Sequence, residues 1–173
     1  GSISGNGGSV TLSSSGSISV DTSGLQIGAQ AGNSNGAKLS ATAGAGDFGK
    51  IASDVNITGG TLDVSGSGRG SGGVINLVAS RWVSSASSLV ANGGASGDGG
   101  VINISVASDS STPFIVNGGT TPLNGVNGSI VANGGGTLGS GGTITIQNAG
   151  TKTTGDGGII LSNGTLISAS AVG

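Results

Sequence analysis

The side chains able to do chemistry in this chain are few. They are seven aspartates (Asp21, Asp47, Asp54, Asp63, Asp98, Asp109 and Asp156), three lysines, Arg69, Arg81 and the single tryptophan, Trp82. General acid and base catalysis needs two positioned groups with separated pKa values. Here the acids are isolated, no two are adjacent, and there is no histidine, cysteine or glutamate. Stacking of repeats could bring Asp54 to Asp63, or Asp98 to Asp156 in its equivalent GDGG turn. The ordinary role of an Asp in a glycine turn is to cap its own backbone, and that is the reading favoured here. Arg69 and Arg81 flank one repeat and could clamp a carboxylated sugar, although pairing at the solvated surface is the commoner fate of such residues. Trp82 in RWVSS could stack on a sugar ring or pack at an edge. Trp82 and Arg81 are therefore the candidate glycan contacts.

Other familiar sites are excluded by spacing. GGASGDGG at Gly93–Gly100 approaches the calcium-binding nonapeptide, but its Asp sits at the wrong offset and no tandem copy follows. No GxxxxGK[ST] exists, and the glycines precede strand-like rather than helix-like segments, so nucleotide binding is not expected. No catalytic residue, metal site or cofactor is implied. Glycosylation sequons at Asn56, Asn103, Asn127 and Asn163 are about as many as the Asn, Ser and Thr content produces by chance. A Thr-x-Thr array of the ice-binding kind is confined to Thr143 and Thr145.

The elements that must position these residues are written in composition and repetition. The 173 residues include 40 Gly and only 2 Pro, with 7% charged residues, a net charge of −2 and no Cys. Glycine at this level suits disorder, but the mean hydropathy of +0.25 is positive and Val, Ile and Leu fall in short alternating runs. Collagen is excluded, since glycine keeps no period of three. No basic face for nucleic acid exists, and no apolar run is long enough for a membrane helix.

Strong octets recur as GNGGSVTL at Gly5–Leu12, GSGGVINL at Gly70–Leu77, GDGGVINI at Gly97–Ile104 and GSGGTITI at Gly139–Ile146. GDFGKIAS at Gly46–Ser53 and GDGGIILS at Gly155–Ser162 are weaker copies. A second motif lies between them, as GSISVDTSG at Gly16, GTLDVSGSG at Gly60, SSLVANGG at Ser87, GSIVANGG at Gly128 and GTLISASA at Gly164. In the octets Val10 and Leu12, Ile75 and Leu77, Ile102 and Ile104, and Ile144 and Ile146 fall on one face of a pleat, with Thr11, Asn76, Asn103 and Thr145 on the other. The glycines, and Asn in eight Asn-Gly steps, are read as left-handed corner residues. Strands this short bury an apolar face only by stacking on one another.

The expected fold is all-β: a single-stranded, right-handed parallel β-helix, or β-solenoid, of roughly 7 rungs of about 20–27 residues. It forms one domain over residues 1–173, with irregular or loop-bearing rungs near 28–49 and 107–128. An antiparallel β-sandwich is the alternative, because it too uses Asn-Gly turns. The octets resemble those of the secreted bacterial β-helical exoproteins typified by filamentous haemagglutinin. That resemblance implies a right-handed β-helix, exported through an outer-membrane partner and used as an adhesin or matrix fibre; the family's N-terminal secretion domain is not among these residues. Neither end of the sequence has a polar capping repeat. The expectation is thus a non-enzymatic extracellular or cell-surface shaft or fibre subunit that stacks end to end with itself and meets host or matrix glycans. It binds no nucleic acid and inserts in no membrane. A carbohydrate-binding or polysaccharide-cleaving β-helix is the alternative function.

Overall fold

The computed structural model describes residues 5–25, 27–29, 31–46, 52–106, 112–117, 124–136, 138–149 and 158–171. Among them the chain is all-β apart from one short 3-10 turn at Thr22–Gly24. A first pass forms β1 (Ser9–Ser14) and β2 (Ile18–Asp21), and a second forms β3 (Lys38–Ala43), β4 (Asp54–Thr58) and β5 (Leu62–Asp63). The third contributes β6 (Val74–Ala79), β7 (Trp82–Ser85) and β8 (Leu89–Val90). The fourth contributes β9 (Val101–Val106), β10 (Phe114–Val116), β11 (Gly125–Val126) and β12 (Ile130–Val131). A fifth supplies β13 (Thr143–Asn148), β14 (Ile159–Leu161) and β15 (Ile167–Ser168).

The passes build three sheets, the first pass contributing to only two of them. The first sheet runs β1-β3-β6-β9-β13, the second β14-β10-β11-β7-β4-β2, and the third β15-β12-β8-β5. Among the described residues every strand pairing is parallel, and the one antiparallel contact is an isolated bridge between Ser34 and Ser67. An antiparallel sandwich is therefore not the fold. Parallel strands need a long return path, which the rest of each pass provides.

The alternation seen in the octets aligns in register. Val10, Leu39, Ile75, Ile102 and Ile144 form one inward row, and Leu12, Ala41, Leu77, Ile104 and Ile146 the next. The inner members are buried, and each large aliphatic side chain so removed from water contributes about 1.5–3 kcal/mol. Thr11, Ser40, Asn76, Asn103 and Thr145 align on the outer face, where the Asn76 amide donates to Ser40 Oγ at 3.1 Å.

The stack has five passes among the described residues, not about seven, and their lengths are uneven. Equivalent corner residues are 29, 36, 27 and 42 positions apart. GDFGKIAS does not open a strand of the first sheet; that strand is β3, eight residues earlier in the stretch read as irregular. Its inward residues are Leu39, Ala41 and Ala43, and small alanines hid the alternation. GDGGIILS leads into β14, a strand of the second sheet. The 42-residue spacing contains an extra strand, since β10 is inserted between β11 and β14 with Phe114 buried beneath Ile159. β10 and β11 fall within the stretch 107–128, of which residues 107–111 and 118–123, Pro122 among them, lie outside the described residues.

Glycine's role also differs from the expectation. No glycine of the four strong octets has positive φ, although Gly46 of the weaker copy does, and Asn117 is the only described non-glycine residue that does. What the corner requires is the absence of a side chain. The amide of Gly100 donates to the carbonyl of Ala91 at 2.7 Å, and a Cβ on Gly72 would stand 2.1 Å from that oxygen and 2.5 Å from that nitrogen. Gly36 bears the same relation to the Gly73–Val64 bond, and Gly99 to the Gly142–Ala132 bond.

Candidate interaction surfaces

Asparagine builds the joints between passes. Asn6 Oδ1 accepts from the amide of Asn35 at 2.9 Å, while the amide of Gly7 donates to the carbonyl of Asn35 at 2.8 Å. One Asn-Gly step so grips both polar groups of one residue in the next pass. Asn35-Gly36 grips Ser71, Asn92-Gly93 grips Asn133, and Asn133-Gly134 grips Ser170 in the same way. Asp98-Gly99 repeats it on Ser140, and Ser65-Gly66 on Asn92. The side-chain oxygen continues the parallel ladder through a corner where the backbone carbonyl points elsewhere. Buried Asn124 does a related task, since its Oδ1 accepts from the amide of Val83 at 3.2 Å and its Nδ2 donates to the carbonyl of Thr112 at 3.3 Å.

The aspartates divide by partner. Asp21 and Asp63 cap their own turns through the amides of Ser23 and Ser65. Asp98 instead caps the following pass, and Asp54 holds Arg81. Asp54 and Asp63, proposed neighbours, sit in the second and third sheets with separate partners. The Asp98–Asp156 pairing lies outside the described residues, as do Asp47 and Asp109. Among the described residues no three acids, histidines or cysteines gather in a metal-holding group.

Arg81 and Trp82 form the densest polar and aromatic feature. The Arg81 Nε donates to Asp54 Oδ1 at 2.8 Å and Nη2 donates to Oδ2, a two-point grip on the carboxylate. The same guanidinium lies 4.2 Å from the centroid of the Trp82 ring. Asp54 and Trp82 are register partners on β4 and β7, so the parallel ladder itself sets this triad. The neighbouring outward pair, Ser84 and Asn56, is joined by a 2.7 Å hydrogen bond. Arg69 is exposed at the other end of β6, so the two arginines do not converge on one point. The hydrogen bonds that Arg81 donates to Asp54 raise the Arg81 pKa further above its ordinary value, so Arg81 stays charged into strongly alkaline solution.

Asp21 is fully exposed, and hydrogen bonds from the Ser23 side chain and amide hold its carboxyl below the usual 3.8. A depressed folded pKa contributes stability that is present above the unfolded value and lost as pH falls through the folded one. With no His or Cys, no side chain has a reference pKa between about 5 and 8. The thermal midpoint is therefore expected to stay level across that window and to fall only in acid. Circular dichroism melts across pH check this, and a mid-range step would refute it.

Two surfaces remain. A cleft of about 320 Å³ lies where the third sheet has no strand from the first pass, lined by Leu25, Ile27, Leu62, Asp63 and neighbours. At the other end of the stack the aliphatic rows open to water. Ile159, Leu161 and Ile167 occupy the inward register of Phe114, Val116 and Ile130, yet they are 46%, 59% and 36% exposed. No helix among the described residues is long and apolar enough to cross a membrane. Comparison with protein-family models, with curated proteins and with solved structures finds no match to this chain.

Proposed function

We propose that the chain is a right-handed parallel β-solenoid acting as a non-enzymatic structural or adhesive element, a shaft or fibre subunit that stacks end to end. The observation that carries the reading is the open row of Ile159, Leu161 and Ile167. Aliphatic side chains in an inward register are stabilised by a further rung above them, and the free edges of β13, β14 and β15 offer unpaired backbone groups to it. The edge of β1 and β2 carries the same inward aliphatic pattern, as Val10, Leu12, Ile18 and Val20. None of β13, β14 and β15 carries a charged residue, so pairing there strips no ion of its water. An extracellular or cell-surface setting belongs to this reading and rests on the resemblance of the octets to secreted β-helical exoproteins.

Sedimentation velocity over a concentration series, with electron microscopy of the same samples, tests it. The expected result is rods that lengthen with concentration and carry a continuous repeat of about 4.8 Å. Leu161→Lys should shorten them at unchanged thermal stability. A strictly monomeric wild-type species at every concentration would refute the proposal.

A further inference from the structure

We propose that Asn163 is a site of spontaneous covalent modification in the folded chain, converting to aspartate and isoaspartate, while the corner joints hold their own Asn-Gly steps against the same reaction. The inference does not depend on end-to-end stacking. In an Asn-Gly step the backbone nitrogen of the glycine loses its proton and attacks the asparagine Cγ. The Cγ–Nδ2 bond breaks, ammonia leaves and a succinimide ring closes. Water then adds to either ring carbonyl and opens it to aspartate or isoaspartate. Glycine favours the attack because it has no side chain to obstruct the approach.

Both reacting groups must be free to meet. In the steps at Asn6, Asn35, Asn92 and Asn133 neither is, because Oδ1 accepts an amide from the next pass and the following glycine N–H donates to a carbonyl there. Ring closure requires both bonds to open together. Asn124 is buried with its amide bonded at both ends. Asn127 is half-buried, its backbone N–H donating to the Ser85 carbonyl, and a Cβ on Gly128 would stand 2.7 Å from the nitrogen of Ser88. The step at Asn117 runs into Gly118, outside the described residues.

Asn163-Gly164 alone among the described steps is exposed at both residues, in the turn between β14 and β15. Gly164 has φ +82°, and the turn is closed instead by the Thr165 amide and hydroxyl donating to the Ser162 carbonyl. Among the described residues neither the Asn163 side chain nor the Gly164 amide has a hydrogen-bond partner. The product would set a carboxylate beside exposed Leu161, Leu166 and Ile167, charging the edge that otherwise carries none.

The test is peptide mapping by mass spectrometry, with isoaspartate detection, of the native chain and of the chain held in denaturant at one pH and temperature. Natively, position 163 should convert at least about tenfold faster than positions 6, 35, 92 and 133, since at least two hydrogen bonds guard each of those. In denaturant the five should converge. Asn133 Oδ1 accepts from both the Ser170 N–H and the Ser168 hydroxyl, so Ser168→Ala combined with Ser170→Pro removes both donors, and should raise conversion at Asn133 while Asn92 stays protected. Native conversion at Asn92 or Asn133 as fast as at Asn163, or no rise at Asn133 in the double variant, would overturn the inference.

Discussion

Gly72→Ala is expected to destabilise the fold by about 4 kcal/mol, towards the upper end for one methyl group. The new Cβ would lie 2.1 Å from the carbonyl oxygen of Ala91 and 2.5 Å from the amide of Gly100. Those atoms form the hydrogen bond that closes one pass onto the next. Neither belongs to a side chain that could swing away, so the corner bond must break or the passes must separate. The penalty is steric, because Gly72 has no positive φ to defend. Gly8→Ala is the control within the motif, since nothing lies within 4 Å of a Cβ there. Thermal melts should show Gly72→Ala down by roughly 8–16 °C and Gly8→Ala near wild type. Equal midpoints for the two variants would remove the close-approach account of the Gly-Gly corner.

Phe114→Ala is expected to cost about 3–5 kcal/mol, but unevenly along the stack. Phe114 is the largest fully buried side chain among the described residues, and it belongs to β10, the strand with no counterpart in the other two sheets. It fills the space between β11 and β14, against Ile159. Solenoid stability is close to a sum of nearest-neighbour terms, so a void here should loosen the last pass first. Hydrogen exchange should show β14 amides losing protection while those of β6 keep theirs. A uniform loss over all passes would mean that the stack melts as a single unit.

In the first sheet β1, β6, β9 and β13 were legible because they obey two rules at once, a Gly-Gly entry and strict alternation, whereas β3, entered through Gly36-Ala37, was not. Ile75, Leu77, Ile102 and Ile104 could be placed inward, and their register followed from matching octets. The middle of the second sheet was not legible. DVNIT and WVSS match only at Val55 and Val83, and no glycine leads into either, since a strand held by neighbours on both sides needs little local signal. The second motif proved to be two things: Ile18 and Val20 belong to the second sheet, and Leu62, Leu89 and Ile130 to the third. Strand count per pass, and so the number of passes, was misread for that reason.

The corner residues show a subtler limit. Frequent Asn-Gly was read as left-handed backbone, which holds at Asn117, Gly125, Gly128 and Gly164 but not at the joints of Asn6, Asn35, Asn92 and Asn133. The physical reason is a side-chain acceptor, which is why Asp98 and Ser65 substitute for Asn at equivalent joints. Substitution by any small oxygen acceptor was visible in the repeats as GSGG, GDGG and GNGG. The Arg81–Asp54 contact had no sequence signal, because 27 residues separate the partners and only the register of β4 with β7 unites them.

The bonds joining successive passes all point along the direction of stacking. A load applied between the first pass and the last therefore falls on one joint at a time, as in peeling rather than shearing. Each pass that detaches frees 27 to 42 residues. That is roughly 90–140 Å of extended chain. Because the passes are unequal, the lengthening of the pulled molecule would come in steps of distinguishable size. The longest would belong to the pass that carries β10, so the uneven spacing that obscured the repeat gives each pass its own mechanical signature.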